Sequence, residues 1–210
     1  IGLFAYFIQP LAGSLKQGLD LQGGTHIVLE AEDSATGTAD NDAVERAKQI
    51  LERRINEMGL SEPLVQREGA RRIIIELPGV KDPDEAIKRI GKTAVLEFKN
   101  DQGQTVMTGD DLKDAKEELG QNKQPLVAIE LSDEGAKKFA DLTSKNIGRR
   151  IAITLDGKEL TNPVVQQAIT GGKATISGSQ SLEEAKDLAI LLRSGALPVK
   201  INVLEVRTVG

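Results

Sequence analysis

The sequence predicts an α+β fold in which residues 19–98 run strand, helix, strand, strand, helix, strand, the order of a ferredoxin-like β-α-β-β-α-β unit. Three observations carry that prediction: an amphipathic helix stopped by a glycine, two short strands around Gly69-Ala70, and a helix start at Asp82-Pro-Asp-Glu85. Leu19–Glu32 reads as the first strand, followed by a polar loop over Asp33–Thr38. Val44, Ala47, Leu51, Ile55 and Met58 then recur at helical spacing, with Asp42 as the cap, Glu45 three residues on, and Gly59 as the stop. Leu64–Glu68 and Arg71–Leu77 flank Gly69-Ala70, where glycine in the first turn position suits a two-residue type II′ hairpin. Asp82 offers a carboxylate cap, Pro83 costs no hydrogen bond at the first helical position, and Asp84 and Glu85 face the positive end of the dipole. Helix 83–90 should lead into strand Ala94–Phe98.

A second unit begins near Lys99. Its expected elements are helix Asp110–Leu119, strand Leu126–Leu131, helix Asp133–Asn146, and a hairpin of Ile151–Leu155 with Lys158–Leu160 around Asp156-Gly157, a type I′ signal. Ser181-Leu-Glu-Glu184 is a capping box for a helix carrying Ala185, Leu188, Ala189 and Leu192, stopped by Gly195 and followed by Pro198. Val199, Ile201 and Val203 alternate as a last strand. Periodicity fits two topologies equally: two consecutive domains, or a ferredoxin-like base interrupted by an inserted α+β head.

Composition narrows the function. Of 210 residues, 32 are acidic and 27 basic, and five are aromatic, so neither a phosphate-tracking groove nor a base-stacking platform is indicated and nucleic acid is not expected as a partner. There is no Cys, hence no disulfide, thiolate nucleophile or Cys-based metal site. His26 is the sole histidine, so every Ser-His-Asp triad or zinc centre would depend on it, and it sits in a strand pattern beside Ile27 and Leu29 as a structural or surface residue would. Gly23-Gly24 and Gly171-Gly172-Lys173 lack the spacing of a phosphate loop and read as tight turns. Asp20 with Glu30 has no fixed spacing on one face, and Asp110-Asp111 reads as a helix start. No catalytic residue, metal or cofactor is expected.

The ordered segments Gly18-Leu-Asp-Leu-Gln-Gly-Gly-Thr-His-Ile-Val-Leu-Glu30, Arg53-Arg-Ile-Asn-Glu-Met-Gly-Leu-Ser-Glu-Pro63, Gly69-Ala-Arg-Arg-Ile-Ile-Ile-Glu-Leu-Pro-Gly79, Thr93-Ala-Val-Leu-Glu-Phe98, Ile151-Ala-Ile-Thr-Leu-Asp-Gly157 and Leu192-Arg-Ser-Gly-Ala-Leu-Pro198 resemble the SecD family, membrane subunits of the bacterial protein-export machinery. The resemblance covers nearly the whole chain, in the family's short form. It implies the interrupted topology: residues 1–13 as the end of a membrane helix and a linker, a base over 14–98 and 179–210, and a head over 99–178. Lys99, Asn100, Gly178 and Ser179 are then the candidate hinge at the neck. It further implies an extracytoplasmic domain attached to the cell membrane, periplasmic in a diderm cell, whose partners are SecF, the SecYEG channel and an unfolded secretory polypeptide. The SecD and SecF pair resembles proton-driven RND transporters, whose coupling carboxylates lie in membrane helices, so no enzymatic role is implied here.

Capturing a chain of arbitrary sequence calls for main-chain pairing at a sheet edge or a shallow apolar groove. The candidate contacts are Val127 and Ile129 on strand Leu126–Leu131, and Val164, Val165 and Ile169 in Pro163–Ile169; the alternative for all five is ordinary core. Gly18, Leu19, Asp20, Leu21, Gln22, Gly23 and Gly24, with Arg193, Ser194, Gly195, Ala196, Leu197 and Pro198, form the two best-matched motifs, expected to act through geometry or an interface. A stand-alone extracytoplasmic module that binds a folded partner explains the same composition.

Overall fold

The computed structural model describes residues 23–35, 37–60 and 62–210. Strand β1 (Gly24–Glu32) is followed by helix α1 (Asn41–Glu57), strands β2 (Leu64–Glu68) and β3 (Arg72–Pro78), and helix α2 (Pro83–Ile90). The next strands are β4 (Leu96–Lys99) and β5 (Thr105–Thr108), then a 3₁₀ turn at Gly109–Asp111, β6 (Leu112–Leu119) and β7 (Pro125–Leu131). Helix α3 (Asp133–Lys145), strands β8 (Ala152–Leu155), β9 (Lys158–Thr161) and β10 (Lys173–Ile176), helix α4 (Leu182–Ser194) and strand β11 (Lys200–Val209) complete the order.

The ferredoxin-like base exists, but its fourth strand comes from the far end of the chain. Its sheet runs β11-β1-β3-β2, antiparallel throughout. Strand β4, expected to close it, pairs instead with β5 and β8 in a sheet ordered β5-β4-β8-β9. A strand's alternation shows that it is a strand and leaves its partner open, so the pattern of Ala94–Phe98 does not distinguish the base sheet from the sheet that holds β4. Ile27, Leu29, Ala31, Ile73, Ile75 and Leu77 are buried on one face of the base sheet, beneath α1 and α2. The whole expected stripe of α1 is buried, and Asp40, not Asp42, is the cap, its Oδ1 accepting from Ala43 N at 2.8 Å. At the other end Leu60 N donates to Ile55 O and Gly59 N to Asn56 O, the paired bonds of a Schellman stop. Helix α2 starts as expected, with Asp82 Oδ1 accepting from Glu85 N at 3.1 Å. The β2–β3 loop has three residues, 69–71, because Glu68 pairs with Arg72, so the expected two-residue turn is not formed.

A further sheet, β10-β7-β6, completes the head. Helix α3 joins it to the β4 sheet, with Phe139 set edge-on to Phe98 at 6.0 Å between centroids. Asp110–Leu119 is a single 3₁₀ turn and a strand, not the expected helix. Thr108 and Asp111 do make a capping box, but β6 then pairs along β7 from Leu112 with Leu131 to Leu119 with Pro125. Asp156 and Gly157 have φ of 51° and 80°, as a type I′ turn requires. Helix α4 is capped by Ser181 and packs mainly on β6 and β7, with a smaller contact to α1, so it sides with the head and not with the base. Among the described residues no helix is long and apolar enough to cross a membrane.

Candidate functional site

The two crossings between base and head are Gly91–Val95, leaving α2, and 195–199, returning to β11. They meet at Arg54 of α1, the largest fully buried side chain among the described residues. Its Nη1 donates to Ile90 O at 2.7 Å and Lys92 O at 2.5 Å, its Nη2 to Gly195 O at 2.8 Å, and its Nε to Ser194 Oγ at 3.0 Å. Desolvation pushes the guanidinium down to about 10, opposed by the charge of Asp156, which leaves it protonated at neutral pH. Asp156 grips the same segment from the head side. Its carboxylate accepts from Thr93 Oγ1 at 2.6 Å and from the amides of Ala94 and Val95 at 3.0 and 2.9 Å. Leu197 N donates to Thr93 O at 2.8 Å and joins one crossing to the other.

The downstream motif is therefore part of a knot. Arg193 donates to Ala115 O at 2.7 Å and pairs with Glu57 at 3.2 Å, while Arg53 donates to Arg193 O. Ser194 and Gly195 hold Arg54, Leu197 is buried, Pro198 is half-buried and Ala196 is exposed. The signal for Arg54 was present in the sequence: it lies three residues after Leu51 and four before Met58, a charge on the core-facing stripe of α1.

Of the upstream motif, Gly18, Leu19, Asp20, Leu21 and Gln22 lie outside the described residues, as do residues 1–13. Gly23 has φ +71°, and a Cβ there would stand 2.8 Å from Val209 O; its own carbonyl accepts from Gly79 N. Gly24 sits between Val209 and Pro78 in the sheet register. The pair lets the first, third and last strands of the base converge where chain enters and leaves it. Gly23→Ala is expected to cost about 1–3 kcal/mol through strain at a left-handed position and collision with backbone, read as a lower urea midpoint with loss of exchange protection at the Gly79 amide, which donates to Gly23.

The expected contact residues divide. Val127, Ile129 and Val165 are 0%, 2% and 7% exposed, and β7 is the middle strand of its sheet, so the expected edge does not exist there. Ile169 is partly buried, its N donating to Thr143 Oγ1, and Val164 is exposed. Lys99 and Asn100 also sit away from the crossings: Asn100 caps the β4–β5 turn, accepting from Gln102 N and Gln104 N. Gly178 and Ser179 lie on the lip of a cleft of about 1020 Å³ between α2, α4 and the β8–β9 hairpin. Arg89 of α2 and Asp187 of α4 form a two-bond ion pair in its wall, at 2.9 and 3.1 Å, and the carboxylate raises the Arg89 pKa above its ordinary value. Leu160, Leu188 and Leu191 add apolar surface, while Lys158 and Glu159 come from edge strand β9. His26 meets Glu76 across β1 and β3 at 3.2 Å, and no cluster of metal-ligating side chains occurs among the described residues.

The chain matches the family models described as the SecDF P1 head subdomain over residues 87–199, the N-terminal part of the P1 domain of protein translocase subunit SecDF over 44–103, and the SecD/SecF GG motif over 15–35. A protein translocase subunit SecD of Acidaminococcus fermentans is 59% identical over 99% of this chain and 50% of its own length, and one of Dictyoglomus turgidum is 46% identical over 92% and 49%. The chain thus spans about half the length of these relatives. A crystal structure of SecDF in a super-membrane-facing form aligns with a TM-score of 0.81 at 41% identity, over 95% of this chain and 32% of that one. A second structure, of a membrane component SecDF that enhances protein export, gives 0.77 at 40% identity, over 87% of this chain and 99% of that one. With motifs, head, base strands and overall fold all matched, the chain belongs to the SecD family of protein translocase subunits and corresponds to their P1 domain.

Proposed function

We propose that this domain works on the extracytoplasmic face of the cell membrane, capturing and releasing the unfolded polypeptide that leaves the SecYEG channel, with SecF as partner and the proton motive force as the drive. The observation that carries this reading is the cleft between base helix α2 and the β8–β9 hairpin of the head. Head-versus-base motion would change its width directly. Its wall mixes leucines with charged side chains and includes edge strand β9, the combination suited to an extended chain of arbitrary sequence. The pairing of Gly24 with Val209 supports attachment at one end of the base, since the chain enters and leaves there. On this reading the base comprises β1, α1, β2, β3, α2 and β11, flexure of the two crossings at 91–95 and 195–199 moves the head, Gly178 and Ser179 join two head elements and are not the hinge, and no reaction is catalysed.

Photocrosslinking in cells tests it, with a reactive residue at Leu160 or at exposed Val164 of the intact protein and a secretory precursor stalled in the channel. Crosslinks to the precursor that disappear on its release are expected at Leu160, with buried Ile129 giving none. Crosslinks to a folded neighbour alone, at both positions, would instead support a scaffold role.

A further inference from the structure

Among the described residues no carboxylate hydrogen-bonds to buried Arg54, although the charge of Asp156 acts on it, and burying a cation without a bonded partner ordinarily costs several kcal/mol. Its charge is met by two helix ends. Ile90 is the last residue of α2 and Gly195 the C-cap of α4, so a terminal carbonyl and the negative pole of each helix converge on one guanidinium. One helix end is where chain leaves the base, and the other is where it starts back. A flexible connection would require none of this, and an apolar side chain could satisfy none of the acceptors. The planar guanidinium has five donors in a rigid fork, and here it holds four acceptors on two separate segments. Asp156 fixes the head end of the outgoing segment at three more atoms, and the bond from Leu197 to Thr93 ties the segments together.

We propose that Arg54 is a positioning residue that sets the resting angle of the head on the base by clamping both crossings into one strut. The proposal rests on the head-versus-base reading and gives Arg54 the central restraint, since it alone holds both crossings, while the Arg89–Asp187 and Arg193–Glu57 pairs tie base helices to α4 beside it. When the grip holds, head and base are one body; motion requires that acceptors on at least one crossing let go. A lysine at 54 keeps the charge but places one compact ammonium where a fork spans two segments, so it weakens the clamp without removing the cation.

Because the chain has no cysteine, spin labels can be placed cleanly at exposed Glu68 in the base and exposed Gln121 in the head of the 210-residue protein. Pulsed electron-electron resonance then reads the distance distribution between them. The expected result is one narrow distribution in the parent and a second, displaced population in Arg54→Lys. Ser194→Ala, which removes one acceptor and leaves Arg54 in place, should raise that population about fivefold over the parent, the effect of one hydrogen bond, and it decides the matter if Arg54→Lys does not fold. Leu51→Ala, a core truncation one turn earlier on α1, should lower stability and leave the distribution narrow. The proposal is overturned if Leu51→Ala broadens the distribution as much as Ser194→Ala, or if neither clamp variant changes it. A broad distribution already in the parent would also overturn it, while leaving head motion intact. Loss of precursor crosslinks at Leu160 would count against polypeptide capture alone.

Discussion

Val127→Asp is expected to abolish cooperative folding of the head. Val127 is completely buried at the centre of β7, opposite Glu117 on one side and Ile176 on the other. A carboxylate there either stays ionised in a dry core or takes up a proton and still lacks a partner, and either state costs several kcal/mol. That is a large share of the 5–15 kcal/mol that holds a typical domain together. Ile129→Asp should act alike, since Ile129 pairs with Ala115 and Ala174 in the same sheet. Val164→Asp, at an exposed position, should change stability by less than about 0.5 kcal/mol. Urea denaturation followed by circular dichroism checks all three. A folded Val127→Asp protein that has lost only its crosslink to the precursor would return β7 to the list of contact surfaces. The contrast matters for function because it moves the search for the polypeptide from the head strand to the cleft and the Val164 surface.

Local chemistry made parts of this fold legible in the sequence. Helix α2 follows from Asp82-Pro83, the stop of α1 from Gly59, and the β8–β9 turn from Asp156-Gly157, because caps and turns are decided by atoms a few residues apart. Strand β6 was not legible. Lys113, Ala115, Lys116, Glu117 and Glu118 are good helix formers, and only pairing with β7, with Ala115 and partly buried Leu112 packed beneath, makes them extended. The closing strand of the base failed for the same reason, since nothing in Leu96–Lys99 distinguishes pairing with β8 from pairing with β1. The motif residues were visible as motifs, but their work was not: Ser194 and Gly195 are useful as acceptors for a side chain 140 residues upstream. The contact residues were the least legible, because Val127, Ile129 and Val165 satisfy the same alternation whether they face a ligand or the core.

Arg54→Met is expected to cost about 3–5 kcal/mol, whereas Arg53→Ala, at the neighbouring position, should cost about 0.5 kcal/mol or less. The difference lies in where the two guanidinium groups end. Arg53 is half exposed and makes an i,i+4 pair with Glu57 and one bond to Arg193 O, interactions that water largely replaces. Arg54 has no exposure, and its loss strands the carbonyls of Ile90, Lys92 and Gly195 beside the negative ends of two helices. Methionine fills most of the volume and removes the desolvation cost of the charge, so the loss that remains reports the orphaned acceptors. A double-mutant cycle between Arg54→Met and Ser194→Ala separates that contribution from packing. Partners in one hydrogen-bonded network should show a coupling of about 0.5–3 kcal/mol, while Arg54→Met with Asp141→Asn, an exposed α3 position paired with Lys145, should be additive. If the Arg54 and Ser194 substitutions were additive as well, the guanidinium would be filling space rather than tying the crossings together, and the neck would be free to bend at Gly91–Val95.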